Sequence, residues 1–155
     1  MMPPPAPLAP QPAPSSPLSE RLCALAEALA EREAEHAVAL DQAFCEAQRL
    51  RARVAEAVDE LHAVLAARGM AHLRITLGEP RLDDKHIRAV QFELSRGRTV
   101  ALVIVKSRGD VTLVGPFRAG KTEGPCESVP WVHASTLELT LADFLERFLE
   151  LATSP

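Results

Sequence analysis

The stretch AVQFELSRGRTVALVIVKSRGDVTLV, residues 89–114, decides the fold of this chain of 155 residues. Apolar and polar residues alternate at Val90–Leu94 and again at Val111–Leu113, a pattern typical of half-buried strands. Between them, Arg98–Lys106 is apolar on both faces and predicts a central strand. The tripeptide SRG separates these segments twice, and its glycine supplies the positive φ of a tight hairpin turn. The stretch therefore predicts three strands of an antiparallel meander.

The flanking segments extend this prediction in both directions. Upstream, His72–Leu77 alternates with period two and predicts a further strand, which makes four. Downstream, an irregular stretch rich in Gly and Pro leads to Thr140–Ala152, whose apolar residues recur with the helical period. This helix is long enough to cover one face of the sheet. The apolar residues at 101, 103 and 105 are expected on the other face, covered by the end of a preceding helix or by a second subunit.

A single long helix is predicted before the sheet. Neither Pro nor Gly occurs from Leu18 to Arg68, and strong helix formers dominate that segment. Ser16 and Pro17 are expected to be the N-cap and the first helical residue, and Gly69 is expected to end the helix. The small domain that follows cannot bury a helix of this length, so we expect the helix to need a partner.

The heptad pattern of this helix predicts a coiled coil. Over four consecutive heptads both core positions are apolar, without a charged residue. Extended towards the N-terminus, this seam keeps Leu22, Ala26 and Leu29 but meets Glu33 and His36. These two polar residues either set the register or mark where pairing loosens. We expect a homodimer, parallel or antiparallel, whose interface consists of Leu40, Ala43, Ala47, Leu50, Val54, Ala57, Leu61 and Val64.

The N-terminus is expected to be a disordered tail. Eight of the 13 prolines fall within Met1–Pro17, a composition that favours extended polyproline II. The predicted fold class is α+β, with a long N-terminal coiled-coil helix, a four-stranded antiparallel β-meander, and a C-terminal amphipathic helix packed on the sheet. The corresponding boundaries are a tail at 1–16, a stalk at 17–69, and a small α+β domain at 70–155.

The segment GPFRAGKT, Gly115–Thr122, matches the phosphate-binding P-loop at every fixed position. A P-loop needs a helix that begins at its Lys-Thr, because the helix N-terminus and the loop amides bind the phosphates. Here Pro125 and Pro130 follow, and no helix can continue through them. The preceding strand also belongs to an antiparallel meander. The match is therefore interpreted as a coincidence of a Gly-rich loop, and nucleotide hydrolysis is not expected.

No other group of residues predicts a reaction. The residue types of Cys126, Glu127 and His133 are those found in sites with a nucleophilic thiol. No feature of the sequence that would lower the pKa of the thiol is evident. The five histidines share no ligand spacing, and the three cysteines form no C-x-x-C pair. We expect no catalytic residue, metal or cofactor, and the widely spaced cysteines favour a reducing cytoplasm.

Charge is unevenly distributed. Residues 70–124 contain ten Lys and Arg against six Asp and Glu, a net of +4, within a chain of net charge −4. The predicted module is therefore basic and is expected to bind an acidic protein partner or an anion. Nucleic acid is a less favoured partner, because aromatic residues for base stacking are scarce. The residues expected to bind the partner are Arg96, Arg98, Arg108, Arg118 and Lys121.

These patterns favour a non-enzymatic, dimeric, cytoplasmic scaffold or adaptor. The coiled-coil stalk would serve self-association, and the basic module would bind a partner. No apolar run approaches the ~20 residues that a membrane span needs. Two alternatives stay open, a nucleic-acid-binding dimer and a small secretion-type chaperone. In architecture alone, the order of elements is similar to that of small dimeric nucleoid-associated proteins. A similarity of architecture does not imply a shared function.

Overall fold

The computed structural model describes residues 1–7, 16–83, 88–121 and 124–154. The chain has the predicted α+β class, with a long helix, a sheet and a second helix in that order. Residues 1–7 are exposed and carry no regular structure, whereas the rest of the predicted tail before Ser16 lies outside the described residues. The elements are α1 Pro17–Ala67, β1 Thr76–Leu77, β2 Arg81–Leu82, β3 Ala89–Arg96, β4 Thr99–Lys106, β5 Asp110–Arg118, β6 Cys126–Pro130 and α2 Ala134–Ala152.

Both ends of α1 follow the predicted capping residues. The backbone N–H of Ser19 donates to Ser16 Oγ at 3.2 Å, which satisfies one of the free amides of the first turn. At the other end the N–H of Met70 donates to the carbonyl of Leu65 at 2.8 Å, and the N–H of Gly69 donates to the carbonyl of Ala66 at 3.1 Å. This pair of hydrogen bonds is the Schellman motif. The predicted start and stop of the helix are thus confirmed.

The sheet is antiparallel throughout, with strand order β1-β3-β4-β5-β6, and β2 also pairs with β3. The three strands predicted from residues 89–114 are its centre. Gly97 and Gly109, the glycines of the two SRG tripeptides, lie in the hairpin turns with φ of 59° and 107°. The predicted meander is confirmed, because the turns are encoded locally by residues that permit positive φ.

The predicted count of four strands is wrong, since the described residues form six. The expected strand at His72–Leu77 is reduced to β1, because the N–H of Leu73 donates to the carbonyl of Met70 in a turn. Strands β2 and β6 were not predicted. Both have mostly exposed side chains, so the alternation that reveals a half-buried strand is weak in them.

Both helices contribute to one hydrophobic core on one face of the sheet. Residues of α1 and α2 share a buried cluster with alternate residues of the strands, among them Phe92, Val103 and Leu113. The side chains at 101, 103 and 105 thus belong to the face that both helices cover. The expectation that they lie on the face opposite α2 is wrong, whereas α1 does contribute to their cover, as one of the two expected alternatives had it. Helix α2 begins at Ala134 rather than Thr140, and its apolar stripe is buried through Leu137, Leu141, Phe144 and Phe148.

Contacts between Cα atoms divide the chain into two units, which meet between Glu35 and His36. We call residues 17–35 of α1 the arm and the unit that begins at His36 the domain. The arm is a helix whose side chains are nearly all exposed. The domain contains all the strands, α2, and the second part of α1. The compact unit therefore begins inside the long helix. No helix in the described ranges is long and apolar enough to cross a membrane.

Candidate interaction surfaces

The arm carries a row of exposed leucines. Leu18, Leu22, Leu25 and Leu29 are 68%, 56%, 47% and 46% exposed. Their steps of four, three and four residues place them on one side of the helix, the spacing of a coiled-coil seam. We call these four residues the leucine stripe. The heptad seam predicted from the second part of α1 reaches Leu22 and Leu29 in this region. It omits Leu18 and Leu25, because a strict seven-residue repeat of that seam does not pass through them.

The structure places the predicted dimer seam largely inside the domain. Ala43, Ala47, Leu50 and Val54 are at most 4% exposed and belong to the core formed with the sheet and α2. Leu40 and Leu61 are partly buried against the same core. Only Ala57 and Val64 are exposed, Val64 at 60%. The chain's own elements therefore occupy most of this face, and dimerisation through it stays a prediction.

A groove of about 190 Å³ runs between α1 and α2 on the surface of the domain. Arg53 borders it and donates a hydrogen bond to Glu138 across the groove at 2.8 Å. Sequence reasoning missed the groove, because its two walls are far apart in the chain. Its apolar lining includes Leu50, Val54, Ala57, Leu137, Leu141 and Leu145.

Four of the five predicted partner-binding residues lie at one end of the sheet. Arg96 pairs with Thr99 across β3 and β4, and Thr99 pairs with Arg118 across β4 and β5. Arg98 lies in the β3–β4 turn, and the N–H of Lys121 donates to the carbonyl of Arg118 at 3.1 Å. We call Arg96, Arg98, Arg118 and Lys121 the basic end. Within the described residues, none of the four forms a salt bridge, and Arg96 Nε is buried without a hydrogen-bond partner.

The fifth predicted residue, Arg108, lies at the opposite end of the sheet. Its Nε and Nη2 donate to the two carboxylate oxygens of Asp110 at 2.7 and 3.1 Å. This bidentate hydrogen bond lowers the pKa of the Asp110 carboxyl below its usual value, and the pKa lowering outweighs the opposing effect of partial burial. The five predicted residues therefore do not form one site, and the charge of Arg108 is compensated within its own turn.

The P-loop match has no P-loop geometry. Gly115–Arg118, the first half of the motif, lies within β5, and the N–H of Gly115 donates to the carbonyl of Pro125 at 2.8 Å. Thr122 lies outside the described residues. The next described element is strand β6, not a helix whose N-terminus could hold a phosphate. The motif therefore reflects a strand and the connection to its neighbour.

The other reactive side chains lie apart from one another. Cys23, Cys45 and Cys126 are exposed free thiols, the first two on α1 and the third at the start of β6. His133 is the N-cap residue of α2 and makes no side-chain capping hydrogen bond. Among the described residues, no group of three His, Cys, Asp or Glu side chains is arranged to hold a metal ion.

The face of the sheet opposite the helices is also apolar at its centre. The register places Leu102 beside Val114 and Val100 beside Phe117, with a bulge between the two pairs. These side chains are half-buried and lie outside the core cluster. The sequence signal was present, because Arg98–Lys106 is apolar at consecutive positions, but it did not show which face the helices cover. We call this surface the open face; its apolar centre consists of Val100, Leu102, Ile104, Val114 and Phe117.

The edges of the sheet are poorly suited to pairing with another strand. Strands β1 and β2 contain two residues each. At the other edge, Pro125 precedes β6 and Pro130 ends it, and proline lacks the N–H that a ladder requires. A partner of this domain is therefore expected to bind a face rather than add a strand. Comparisons with models of protein families, with curated proteins and with solved structures find no match to this chain, so the geometry alone carries the functional argument.

Proposed function

We propose that this chain is a non-enzymatic, self-associating scaffold or adaptor. In this proposal the arm of α1 holds two copies together as a homodimer, and the domain binds an acidic protein partner. The proposal moves self-association from the second part of α1, where most seam residues lie in the domain's own core, to the arm. It assigns no reaction, metal or cofactor to the chain.

The leucine stripe is the observation that carries this proposal. Full burial of an exposed leucine side chain contributes about 1.5–3 kcal/mol. The four leucines of the stripe are 46–68% exposed, so covering them recovers roughly half of that contribution at each residue. The arm continues the helix that the domain holds, but its apolar side has no packing partner there, and most helical stability in proteins comes from packing of an apolar face. Residues 17–35 lack a covering partner among the described residues of their own unit, and association with another chain would supply one.

The basic end supports the choice of an acidic partner. Arg96, Arg98, Arg118 and Lys121 come together from two segments of the chain, 96–98 and 118–121, and the described residues offer them no carboxylate within salt-bridge distance. A surface of one charge sign gives specificity and faster association with a partner of the opposite sign. Arginine is well suited to this role, because its guanidinium donates two parallel hydrogen bonds to a carboxylate.

Light scattering coupled to size exclusion tests the self-association. The wild-type chain is expected to be a dimer at tens of micromolar, and Leu25→Glu is expected to be a monomer with unchanged β-structure. The matched control is Ala34→Glu, because a residue nine positions further along lies about half a turn around the helix from Leu25. A monomeric wild type, or a Leu25→Glu chain that stays dimeric, would falsify the proposal.

Nucleic-acid binding is the second candidate function, favoured by the same basic end. Phosphate contacts make affinity fall steeply with salt, so a mobility-shift titration at low and at high salt identifies them. In this alternative, changing Arg96, Arg98 and Arg118 to Glu abolishes binding, and Arg108→Glu has a smaller effect because Asp110 already compensates that charge. If no shift occurs at low salt, the adaptor is favoured.

A further inference from the structure

Three side chains at the basic end form a row across three strands. Arg96 of β3 pairs with Thr99 of β4, and Thr99 pairs with Arg118 of β5, so the three side chains project from the same face of the sheet. Directly paired residues lie about 5 Å apart at Cα, which places the two arginines roughly 10 Å apart with the threonine between them. Two long side chains can converge from these positions on one ligand. We call Arg96, Thr99 and Arg118 the arginine row.

Backbone hydrogen bonds hold this end of the sheet together. The N–H of Ala119 donates to the carbonyl of Arg98 at 2.7 Å, which ties the end of β5 to the β3–β4 turn. The N–H of Lys121 donates to the carbonyl of Arg118 at 3.1 Å, and Gly120 has a φ of 94°, as in a type II turn. The ends of such a turn lie within about 7 Å at Cα, so Lys121 adds a third cation beside the row. A site assembled in advance loses little conformational entropy when a ligand binds.

Arg96 is held more firmly than an ordinary surface arginine. It follows the core residue Leu94 by two positions and therefore lies on the face that the helices cover. Its Nε is buried, whereas its two terminal nitrogens are neither buried nor hydrogen-bonded to a described residue. Glu146 of α2 lines a cavity beside Leu94 on this face. Even so, no described carboxylate lies within salt-bridge distance of the row, whose positive charge is left uncompensated.

We propose that the arginine row binds a phosphate monoester, carried by a phosphorylated serine or threonine of the partner protein. The inference rests on the proposed function, in which the domain binds an acidic protein, and it names the group that is bound. A phosphate monoester has a charge of about −1.5 to −2 at neutral pH and three strong acceptor oxygens. Two guanidinium groups and the Thr99 hydroxyl donate to these three oxygens together, and the two arginines match the charge.

Other anions match the row less well. A carboxylate carries one charge, and a single guanidinium already satisfies its two oxygens with parallel hydrogen bonds. A nucleic acid presents its charges along its whole length, so its binding favours an extended basic track. Arg108, at the opposite end of the sheet, is compensated by Asp110, and aromatic residues for base stacking are scarce. A compact row of two arginines therefore favours one doubly charged group.

Titration of the isotope-labelled full-length chain with inorganic phosphate tests the row by nuclear magnetic resonance. At neutral pH and constant ionic strength, phosphate is expected to shift the amide resonances of residues 96–99 and 118–121 in a saturable way, and acetate is not. Arg96→Gln combined with Arg118→Gln is expected to abolish the saturable shifts. Arg108→Gln is the matched control and is expected to bind phosphate as the wild type does. Wild-type resonances that do not saturate, or a folded double variant that binds like wild type, overturn the inference.

Lysine substitutions distinguish a built site from a general attraction of charge. Arg96→Lys combined with Arg118→Lys keeps the net charge but removes the planar forks. The affinity for inorganic phosphate is expected to fall about tenfold, because hydrogen bonds to a charged group are lost. Equal affinities of this variant and the wild type overturn the inference. Circular dichroism checks the fold; if variants of Arg96 do not fold, Arg118→Lys combined with Thr99→Val replaces them, with the same expected loss.

A pair of peptides separates this inference from the proposed function. Both contain one serine among glutamates, and the serine of one is phosphorylated. By fluorescence anisotropy, the phosphorylated peptide is expected to bind about tenfold more tightly or better, because of its additional charged hydrogen bonds. Equal binding of the two peptides overturns the phosphate site and leaves the acidic partner in place.

The remaining outcomes are also decisive. If neither peptide binds, the phosphate site and the acidic partner both fail, whereas self-association is judged separately by the mass of wild type and Leu25→Glu. If a single-stranded oligonucleotide binds more tightly than the phosphorylated peptide, the phosphate monoester is overturned in favour of nucleic acid.

Discussion

At the scale of single residues, the Arg108–Asp110 pair makes stability depend on pH. The pKa of the Asp110 carboxyl is lowered from its usual value of 3.8, chiefly by the hydrogen bonds from Arg108. A lowered pKa in the folded state means that the pair stabilises the fold above pH 3.8, and that this contribution is lost as the pH falls through the lowered pKa. Because Arg108 is 69% exposed, solvent screens the pair and the effect is small.

Arg108→Gln is therefore expected to lower the urea midpoint slightly at neutral pH and to leave it unchanged well below pH 3.8. Urea titrations across this range measure the difference from wild type. Arg118→Gln is the matched control, since Arg118 forms no salt bridge with a described residue, and its difference from wild type should not vary over the same range. A difference for Arg108→Gln that grows on acidification would contradict the assignment.

Gly115 is a second residue whose identity is dictated by its surroundings. Its φ is 106°, and a Cβ placed there would lie 3.0 Å from the carbonyl oxygen of Val100 on the central strand. Gly97, with φ of 59°, has open space at the same position and serves as the control. Gly97→Ala is expected to cost about 1–2 kcal/mol from backbone strain alone. Gly115→Ala should cost clearly more in urea unfolding, and an equal loss in the two variants would show that the backbone relaxes around the new methyl group.

At the scale of elements, α1 shows how one apolar pattern can serve two kinds of packing. Leu50 is 4% exposed and packs in the domain core, although its spacing fits a coiled-coil seam equally well. Leu50→Ala is therefore expected to lower the unfolding free energy by about 2–5 kcal/mol. The matched control Leu139→Ala, at a site 70% exposed, should stay within about 0.5 kcal/mol of wild type. If Leu50→Ala alters only the oligomeric state, Leu50 belongs to an intermolecular seam instead.

Local signals in the sequence were sufficient for the long helix, the hairpin turns and the central strands, whereas the start of α2 was placed six residues late. The SRG turns, the capping residues of α1 and the alternation in β3 each depend on neighbours in the chain, so sequence reasoning placed them correctly. Strands β2 and β6 escaped it, because their side chains are mostly exposed and their pairing partners lie elsewhere in the chain. What packs against the apolar face of a helix also depends on the tertiary structure. Apolar residues spaced three and four apart occur both in helices that pack on a sheet and in helices that pack on a second helix.

For the basic end, the sequence predicted the excess of positive charge but not which of the basic residues lie together. The excess of cations in residues 70–124 was evident from counting, whereas the separation of Arg108 from Arg96, Arg98 and Arg118 required the strand register. Arg96 and Arg118 are far apart in sequence, yet both are aligned with Thr99 across neighbouring strands. Arg108 is closer to each of them along the chain, but the intervening strand carries it to the other end of the sheet.

At the scale of the whole molecule, the buried core and the uncovered apolar stripe belong to different units. Every buried hydrophobic residue found in the described chain lies at or beyond Ala43, whereas the leucine stripe lies wholly within residues 17–35. Stability and self-association are therefore expected to be separable, with the domain providing the first and the arm the second. The arm resembles a binding segment more than part of the fold, since its side chains contribute nothing to the core cluster.

Deletion of residues 1–35 tests this separation. The remaining chain keeps the complete core cluster, so it is expected to fold, with a urea midpoint at low protein concentration close to that of the full-length protein. At high concentration the full-length protein should become more stable than the deletion variant, because dimerisation adds stability by mass action. The deletion variant should show no such concentration dependence and should be a monomer by light scattering. A fragment that fails to fold would show that the arm supports the domain within one chain, and a fragment that remains dimeric would place the self-association surface in the domain alone.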